Sequence, residues 1–469
     1  MLAVATTGAL ASTTAAPGWF AVARAVSATR MAPSNVLDAM PDIAATWEVS
    51  GGGVQIPPAD CDGADFEQTW QTAAFFDEEG GAKYDAKGGI FNYEFMKDDT
   101  RRTPLYYAAI RERLAGLPPQ VVLDLGTGAQ ALLALEAARA GAKKVYAIEA
   151  QPSCAQQARE AVSAVQTEIE SDCCFDCADV CASSFVRNTL PQQVAAAGFA
   201  DVIEVIEGIS TRVTLPEKVD VLISEVVGSV ASEEGLYATI SDAHARHVKR
   251  PMERASWIPH RCHTIGAACS YALHASLGMP DYNWRRLAGP PRVAAACSSL
   301  QLLSEAHVVE TIDFTDPVAG AQTLHTPAVT MTIDAERLQR NEQVYARAAT
   351  PAEEGEEEMD EEERAEAIAD AASFAALVSR SFSGVAMWPR LELDPNGKHV
   401  VEARGEAGEP RSSSWGCLLP LIGERPMRVN PGDTVTMKMQ IDLPQAVETP
   451  PQYTVRGRWA RAPKPTRRR

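Results

Sequence analysis

Two glutamates, Glu225 and Glu234, are the residues whose type and spacing point most directly to chemistry. Glu225 follows a short apolar run at 219–223, and Glu234 comes nine positions later in a loop that also contains Gly228. Two carboxylates directed at one spot repel each other unless a cation lies between them. A guanidinium suits that place because its forked N–H donors can pair with both acids. The alternative is that Glu225 caps a helix and that Glu233 and Glu234 form a solvated face.

A second candidate site is a glycine turn between a strand and a helix. QVVLDL at 120–125 predicts a buried strand, GTG at 126–128 a tight turn, and 131–140 a helix. KKVYAIE at 143–149 predicts a second strand that ends in the acid Glu149. Glycines let the backbone approach a nucleotide, and an acid in this place accepts hydrogen bonds from ribose hydroxyls. The pattern therefore predicts a site for an adenosine-type ligand.

Alternating strands and helices position both sets of residues. Further strands are predicted at 201–206 and 219–223, with helices at 151–166 and 236–248. This alternation predicts a doubly wound parallel sheet, in which ligands bind beyond the carboxyl ends of the strands. From Trp257 the pattern changes to short alternating runs between turn residues, which predicts an antiparallel β domain, either a barrel or a sandwich.

The chain divides into an extension, two domains and a tail. Residues 1–37 contain no Asp or Glu, which is typical of an organellar transit peptide and equally of a disordered extension. We expect a cytoplasmic or nuclear protein, or an organellar one if this segment is a transit peptide. The predicted ranges are a largely disordered or targeting extension at 1–87, a Rossmann-type domain at 88–256 with an insertion at 167–199, a β-barrel domain at 257–463 with a solvated acidic insertion at 350–367, and a basic tail at 464–469.

Composition excludes several classes of protein. The 469 residues carry a formal net charge of −19, which argues against general nucleic-acid binding and suits basic partners. No uncharged apolar run reaches the length of a membrane span, about 18 residues. The ten cysteines are irregularly spaced and indicate free thiols in a reducing compartment. Cys174, Cys177 and Cys181 could share a zinc ion, but no second paired half follows, so no metal site is predicted.

The combined motifs resemble the protein arginine N-methyltransferases. VVLDLGTG, AGAKKVYAIEA, KVDVLISEVVG and the later Glu234 carry the resemblance, which covers about 88–459. It implies a Rossmann-type domain joined to a β-barrel, and methyl transfer from S-adenosylmethionine to arginine residues of proteins such as histones or Arg/Gly-rich substrates. GISTRVTL at 208–215 is more similar to the monomethylating, type III branch. The family commonly forms dimers, so a homodimer is expected, with 275–292 either a dimerisation arm or an ordinary surface loop.

The resemblance assigns roles to residues at matching positions. Glu225 and Glu234 match the pair of acids that binds the substrate guanidinium. Arg102 matches an arginine that pairs with the cofactor's carboxylate, with Arg101 as the alternative. Further cofactor contacts are implied for the glycine turn (Asp124, Gly126 and Gly128), the ribose acid (Glu149) and the adenine segment (Ser210 and Thr211), and substrate contacts for Met96 and Trp415.

The sequence departs from the family pattern, and other functions stay open. Ala129 and Gln130 stand where the family's turn has its third glycine, and Ser413-Ser414-Trp415 replaces a Thr-His-Trp loop, so its histidine is missing. One alternative is a methyltransferase of the same fold with another substrate. Another is a scaffold protein that binds the cofactor without catalysis. A dehydrogenase is the weakest alternative because no hydride-transfer residues are evident.

Overall fold

The structure is a computed structural model whose described part leaves out several predicted segments. The N-terminal residues 1–53, the cysteines between 172 and 198, and the basic tail at 464–469 lie outside it, so the predictions made for them are untested. The described residues are 54–58, 60–72, 96–171, 199–277, 282–287, 289–318, 320–349, 361–405, 407–445 and 449–463.

A parallel five-stranded sheet with helices forms the first domain, as predicted. Its strand order is β4-β3-β2-β5-β6, and all four pairings are parallel. Among the described residues no helix is both long and apolar enough to cross a membrane. The elements up to this point in the chain are β1 (Gly63–Gln71), α1 (Thr103–Leu114), β2 (Val121–Leu125), α2 (Leu132–Arg139), β3 (Lys144–Glu149), α3 (Pro152–Ser171), β4 (Ile203–Glu207), β5 (Val221–Ser224), α4 (Leu236–Arg246) and β6 (Trp257–Ile258).

The central strands explain why the site lies where it does. Leu123 of β2 and Leu222 of β5 have no exposed surface, because both faces of a parallel sheet are covered by other elements. The chain runs from β2 outward to β4 and then returns to β5 on the other side of β2. This reversal opens a crevice at the carboxyl ends of β2 and β5. The glycine turn and Glu225 both emerge there.

Two large antiparallel sheets and the short pair β13-β17, around a shared apolar core, form the second domain, in agreement with the predicted β-barrel. The larger sheet has the order β10-β7-β14-β16-β8, and the other has β1-β19-β18-β11. The remaining elements are β7 (Arg261–Tyr271), α5 (Ala272–Ser276), β8 (Arg292–Ala294), β9 (Leu300–Leu302), β10 (His307–Asp313), β11 (Gln322–His325), β12 (Val329–Thr332), α6 (Ala335–Ala349), α7 (Glu361–Val378), β13 (Ser381–Phe382), β14 (Gly384–Glu392), β15 (Val400–Glu402), β16 (Gly416–Leu418), β17 (Met427–Arg428), β18 (Thr434–Leu443) and β19 (Gln452–Ala460).

Strand β1 corrects the prediction for the N-terminal extension. It pairs with β19 over its whole length, from Gly63 with Ala460 to Gln71 with Gln452. Trp70 is buried and its ring stacks on Tyr453 at 5.3 Å between centroids. The prediction of a largely disordered or targeting segment at 1–87 is therefore wrong for 63–71. The strand was missed because its partner is far away in sequence, and local pattern carries little information about such pairing.

A helical hairpin interrupts the β domain at the acidic insertion. Residues 361–367 are largely exposed, as predicted, but they form the first turns of helix α7. Further along α7, Phe374 and Val378 are buried in an apolar cluster with Tyr345 of α6. The described part of the insertion, 361–367, is thus the start of a packed helix. The domain boundary also shifts, because β6 at Trp257–Ile258 still belongs to the parallel sheet.

Candidate functional site

The glycine turn after β2 has the geometry that an approaching ligand requires. Gly126 has a φ of +76°, and a Cβ added there would lie 2.8 Å from Cγ1 of Val226, so a larger residue does not fit. Asp124 at the end of β2 is buried and accepts a 2.6 Å hydrogen bond from the Thr127 hydroxyl. Burial outweighs that hydrogen bond and raises the pKa of Asp124 to about 7.

Glu149 at the end of β3 faces the same turn. Its Oε2 accepts a hydrogen bond from the N–H of Gly128, and its Oε1 accepts one from the N–H of Gln151, both at 2.9 Å. Burial raises the pKa of the Glu149 carboxyl. A carboxylate oxygen can accept more than one hydrogen bond, so this acid is held in place and can still accept from ribose hydroxyls.

The predicted adenine segment follows β4 on the same edge of the sheet. The carbonyl of Ser210 accepts a 3.1 Å hydrogen bond from Arg246 of α4, which fixes this loop. The hydroxyl of Thr211 is buried and has no hydrogen-bond partner within the described residues. A buried polar group without a partner costs free energy unless a ligand satisfies it. Thr211 is therefore suited to contact a bound nucleoside.

Arg102 contacts Glu225, one of the two acids predicted to bind the substrate. Its guanidinium donates from Nη2 to Oε2 of Glu225, and both side chains are about 95% buried, with relative exposures of 6% and 5%. The rings of Tyr106 and Trp415 each lie 5.8 Å from the guanidinium carbon. The Nε of Arg102 is buried without a hydrogen-bond partner in the described part of the chain. Arg101 is exposed by comparison, so Arg102 is the arginine of this site.

Glu234 is the second acid of the pair. The residue as a whole is exposed, and several charged side chains act on its carboxyl group. Burial of that group, followed by the charges of Glu225 and Glu233, raises the pKa of Glu234 to about 8. The two predicted acids are thus close enough to interact electrostatically. Glu233 is not part of a solvated face, because it is 1% exposed and pairs with Arg292 of β8.

The loop that lacks the family's histidine still joins the two domains. The indole N–H of Trp415 donates to the carbonyl of Val227, which lies 2.7 Å away and two positions after Glu225 in the chain. The backbone N–H of Ser414 donates to Oδ2 of Asp99 at 2.8 Å. The backbone of Ser414 therefore makes a hydrogen bond at the position where the family has its histidine. Trp415 is 7% exposed and holds the loop at 225–234 that carries both acids, the acid loop.

Asp99 organises the segment that carries two predicted residues. Its Oδ1 accepts hydrogen bonds from the N–H groups of Arg101 and Arg102 at 3.1 and 3.0 Å. Met96 contributes its carbonyl, which accepts a 2.8 Å hydrogen bond from the Thr103 hydroxyl. Sequence reasoning missed Asp99, although an aspartate just before a helix commonly accepts such backbone hydrogen bonds. It also missed Arg292, for which no local signal exists.

These residues fit an adenosine-containing cofactor with a carboxylate. Glu149 suits ribose hydroxyls, Thr211 has an unsatisfied buried hydroxyl, and Arg102 has an unsatisfied buried N–H. The absence of the family's third glycine does not block the turn. Ala131, the residue before α2, adopts the left-handed conformation itself, with a φ of +45°. The arrangement has the features of a nucleoside site of Rossmann type beside a pair of acids that suits a cation.

Comparison with known proteins finds similarity to arginine methyltransferases. No protein-family model matches the chain. Protein arginine N-methyltransferase PRMT10 of Oryza sativa subsp. japonica is 32% identical over 160 residues, which are 34% of this chain and 33% of the relative. Probable histone-arginine methyltransferase 1.3 of Arabidopsis thaliana is 34% identical over 147 residues, 31% of this chain and 21% of the relative. The matched part thus spans a third or less of these curated relatives.

Solved structures resemble the chain over a larger part of its length. The Trypanosoma brucei PRMT1 enzyme-prozyme heterotetrameric complex with AdoHcy is 17% identical, with a TM-score of 0.48, and the alignment covers 76% of this chain and 89% of that one. The names of the curated relatives confirm the resemblance to protein arginine N-methyltransferases that the motifs predicted. The type III branch stays a prediction.

Proposed function

We propose that this protein transfers a methyl group from S-adenosylmethionine to a guanidino nitrogen of arginine residues in proteins. The observation that carries the proposal is the placement of Glu225, which pairs with the buried Arg102, and of Glu234 in the same loop, at the crevice that also holds the nucleoside-binding residues. A pair of acids next to a nucleoside site matches a cationic substrate group, and guanidinium is the cation that two carboxylates bind best.

The cofactor and the acids divide the work of the reaction. S-adenosylmethionine, when bound, supplies a methyl group that its sulfonium already activates. Glu149 and Thr211 would hold its nucleoside, and Arg102 its carboxylate. The chain's task is to orient the arginine, since alignment of reacting groups supplies much of a rate acceleration. Arg102 uses Oε2 of Glu225, so we assign the other oxygen, Oε1, to the substrate guanidinium.

Glu234 is suited to accept the proton that the reaction releases. Guanidinium has a pKa above about 12 and does not lose its proton readily in water. As the bond between methyl carbon and nitrogen forms, the same nitrogen must give up a proton. The pKa of Glu234, raised to about 8, makes it a stronger base than an ordinary carboxylate. We therefore assign orientation to Glu225 and proton acceptance to Glu234.

The partners follow from the same chemistry. A formal net charge of −19 favours basic substrates, and histones or Arg/Gly-rich proteins supply arginines in such a setting. One curated relative is named a probable histone-arginine methyltransferase, which supports this choice. We also propose a homodimer, as the resemblance of the sequence motifs to the protein arginine N-methyltransferases implies.

The test is mass spectrometry of an Arg/Gly-rich peptide incubated with the protein and labelled S-adenosylmethionine. We expect label on arginine and none on a matched peptide with lysine in place of arginine. Monomethylarginine alone would support the type III branch, and dimethylarginine would contradict it. Binding of cofactor without transfer to any arginine peptide or histone would favour the inactive scaffold, and absence of cofactor binding would refute the methyltransferase function.

Replacement of Glu225 by Gln provides the first mutational prediction. Glutamine keeps an oxygen for Arg102 but removes the charge that orients the guanidinium, so turnover should fall by about 100-fold or more. Cofactor binding, measured by titration calorimetry, should stay close to that of the unmodified protein. Glu366→Gln on the exposed face of α7 serves as the matched control. Full activity in Glu225→Gln would remove Glu225 from the mechanism.

A further inference from the structure

We propose that Glu233 and Arg292 form a positioning pair that presents Glu234 to the substrate and sets its basicity. The inference rests on the proposed function, because it assigns a role around the acid that we expect to accept the proton. Neither residue touches the reacting atoms in this proposal. Both act through Glu234, which is next to Glu233 in the chain.

The pair has the geometry of a fixed support. Arg292 donates from Nη1 to Oε2 of Glu233 at 3.0 Å and from Nη2 to Oε1 at 2.7 Å. Such a two-pronged contact fixes the direction of the carboxylate as well as its distance. Glu233 is 1% exposed, whereas the Arg292 side chain is 39% exposed. A buried carboxylate needs a partner, and this partner comes from β8 of the other domain.

The acid loop is built around the Glu233 side chain. A Cβ added to Gly228 would lie 2.7 Å from Cβ and 2.8 Å from Oε2 of Glu233, so only glycine leaves room for it. The N–H of Val230 donates to Oε2 at 3.2 Å, and the Thr72 hydroxyl donates to Oε1 at 3.4 Å. The carboxylate thus ties the loop to itself, to the residue after β1 and to β8. The position in the loop from which Glu234 extends is therefore fixed.

The pair also places two opposite charges beside Glu234. Burial is the largest cause of the raised pKa of Glu234, and the charges of Glu225 and Glu233 raise it further. Arg292 and Arg102 lower it. Glu233 and Arg292 therefore act on Glu234 in opposite directions. Removal of either one should change the acid's basicity in a direction that its charge determines.

The experiment compares single variants by the pH dependence of kcat/KM on an Arg/Gly-rich peptide. The acid limb of this profile reports the pKa of the base in the free enzyme. Glu233→Gln should move the limb down by about one pH unit, and Arg292→Gln should move it up by a similar amount. Arg292→Lys keeps the charge and loses the fork, so it should lower kcat without moving the limb.

Two controls separate this role from a general loss of structure. Arg292→Gln leaves Glu233 buried without this partner and lowers stability, so the double variant Glu233→Gln/Arg292→Gln, which removes both charges, is the folded comparison. The acid limb of the double variant's pH profile should lie between those of the two single variants. Arg285 and Glu424 form an ion pair in the same domain, with Nε and Oε1 2.8 Å apart, and their Gln variants should change nothing. Shifts in the same direction, or none, would overturn the proposal.

A second measurement keeps this proposal separate from the proposed function. Wild-type protein that methylates no arginine would count against the function alone. The pair is then tested by heat denaturation between about pH 5 and pH 9. In the wild type, stability should fall as the pH rises. This fall should be smaller in Glu233→Gln and larger in Arg292→Gln. Identical pH dependence in all three proteins would contradict the role of the pair.

Discussion

Glu234 connects the stability of the protein to pH at the scale of a single residue. Its pKa is about 8 in the folded protein against an ordinary value of 4.5, so between these values the folded state binds more protons than the unfolded state. Stability therefore falls as the pH rises through this window. Glu234→Gln should remove that dependence and should stabilise the protein more at pH 8 than at pH 5. Denaturant unfolding at both pH values measures it, and an unchanged slope would contradict the raised pKa.

The individual site residues were predictable to different degrees. Glu225 and Glu234 could be found because their spacing after a buried strand is itself a signal, and Glu149 because it ends a strand beside a glycine turn. The contact between Arg102 and Glu225 could not, because 123 positions separate the two residues in sequence. A pairing between distant residues depends on how the domains pack, and local patterns do not encode it.

At the scale of elements, strand β1 supports the site from the second domain. Trp70 on β1 stacks on Tyr453, and the hydroxyl of Tyr453 lies 3.0 Å from that of Ser232 in the acid loop. Trp70→Ala should destabilise the protein by about 3–5 kcal/mol, because it leaves a cavity in the core. Denaturant unfolding measures this loss, with Leu117→Ala at an exposed site as the control. A change below about 1 kcal/mol would show that β1 adds little to the fold.

The elements themselves were predicted well where periodicity was local. β2, β3, β4 and β5 each lie within a few residues of the predicted strands, because short apolar runs between turn residues identify buried strands. The hairpin of α6 and α7 was missed, since its acidic start resembles a solvated insertion and its apolar residues come later. Composition averaged over a segment hid the helical pattern.

At the scale of the whole molecule, the site depends on both domains. The Trp415 indole donates to the carbonyl of Val227 across the domain junction. Trp415→Phe keeps the ring and removes this donor, so the acid loop should loosen and kcat should fall about tenfold, as expected for the loss of about 1.4 kcal/mol. Cofactor affinity should stay unchanged, because the nucleoside residues all belong to the first domain. Equal losses in kcat and cofactor affinity would point to a general disruption.

The pairing of β1 with β19 also has a consequence for how the protein is made. Glu67 and Arg456, which pair across these strands, are 389 positions apart, so a ribosome finishes one strand long before it begins the other. The parallel sheet between them can fold first, since domains generally fold as units during synthesis. Until β19 emerges, Phe66 and Trp70 of β1 lack the surface that buries them. Nascent chains are therefore expected to need a chaperone until the last stage of translation.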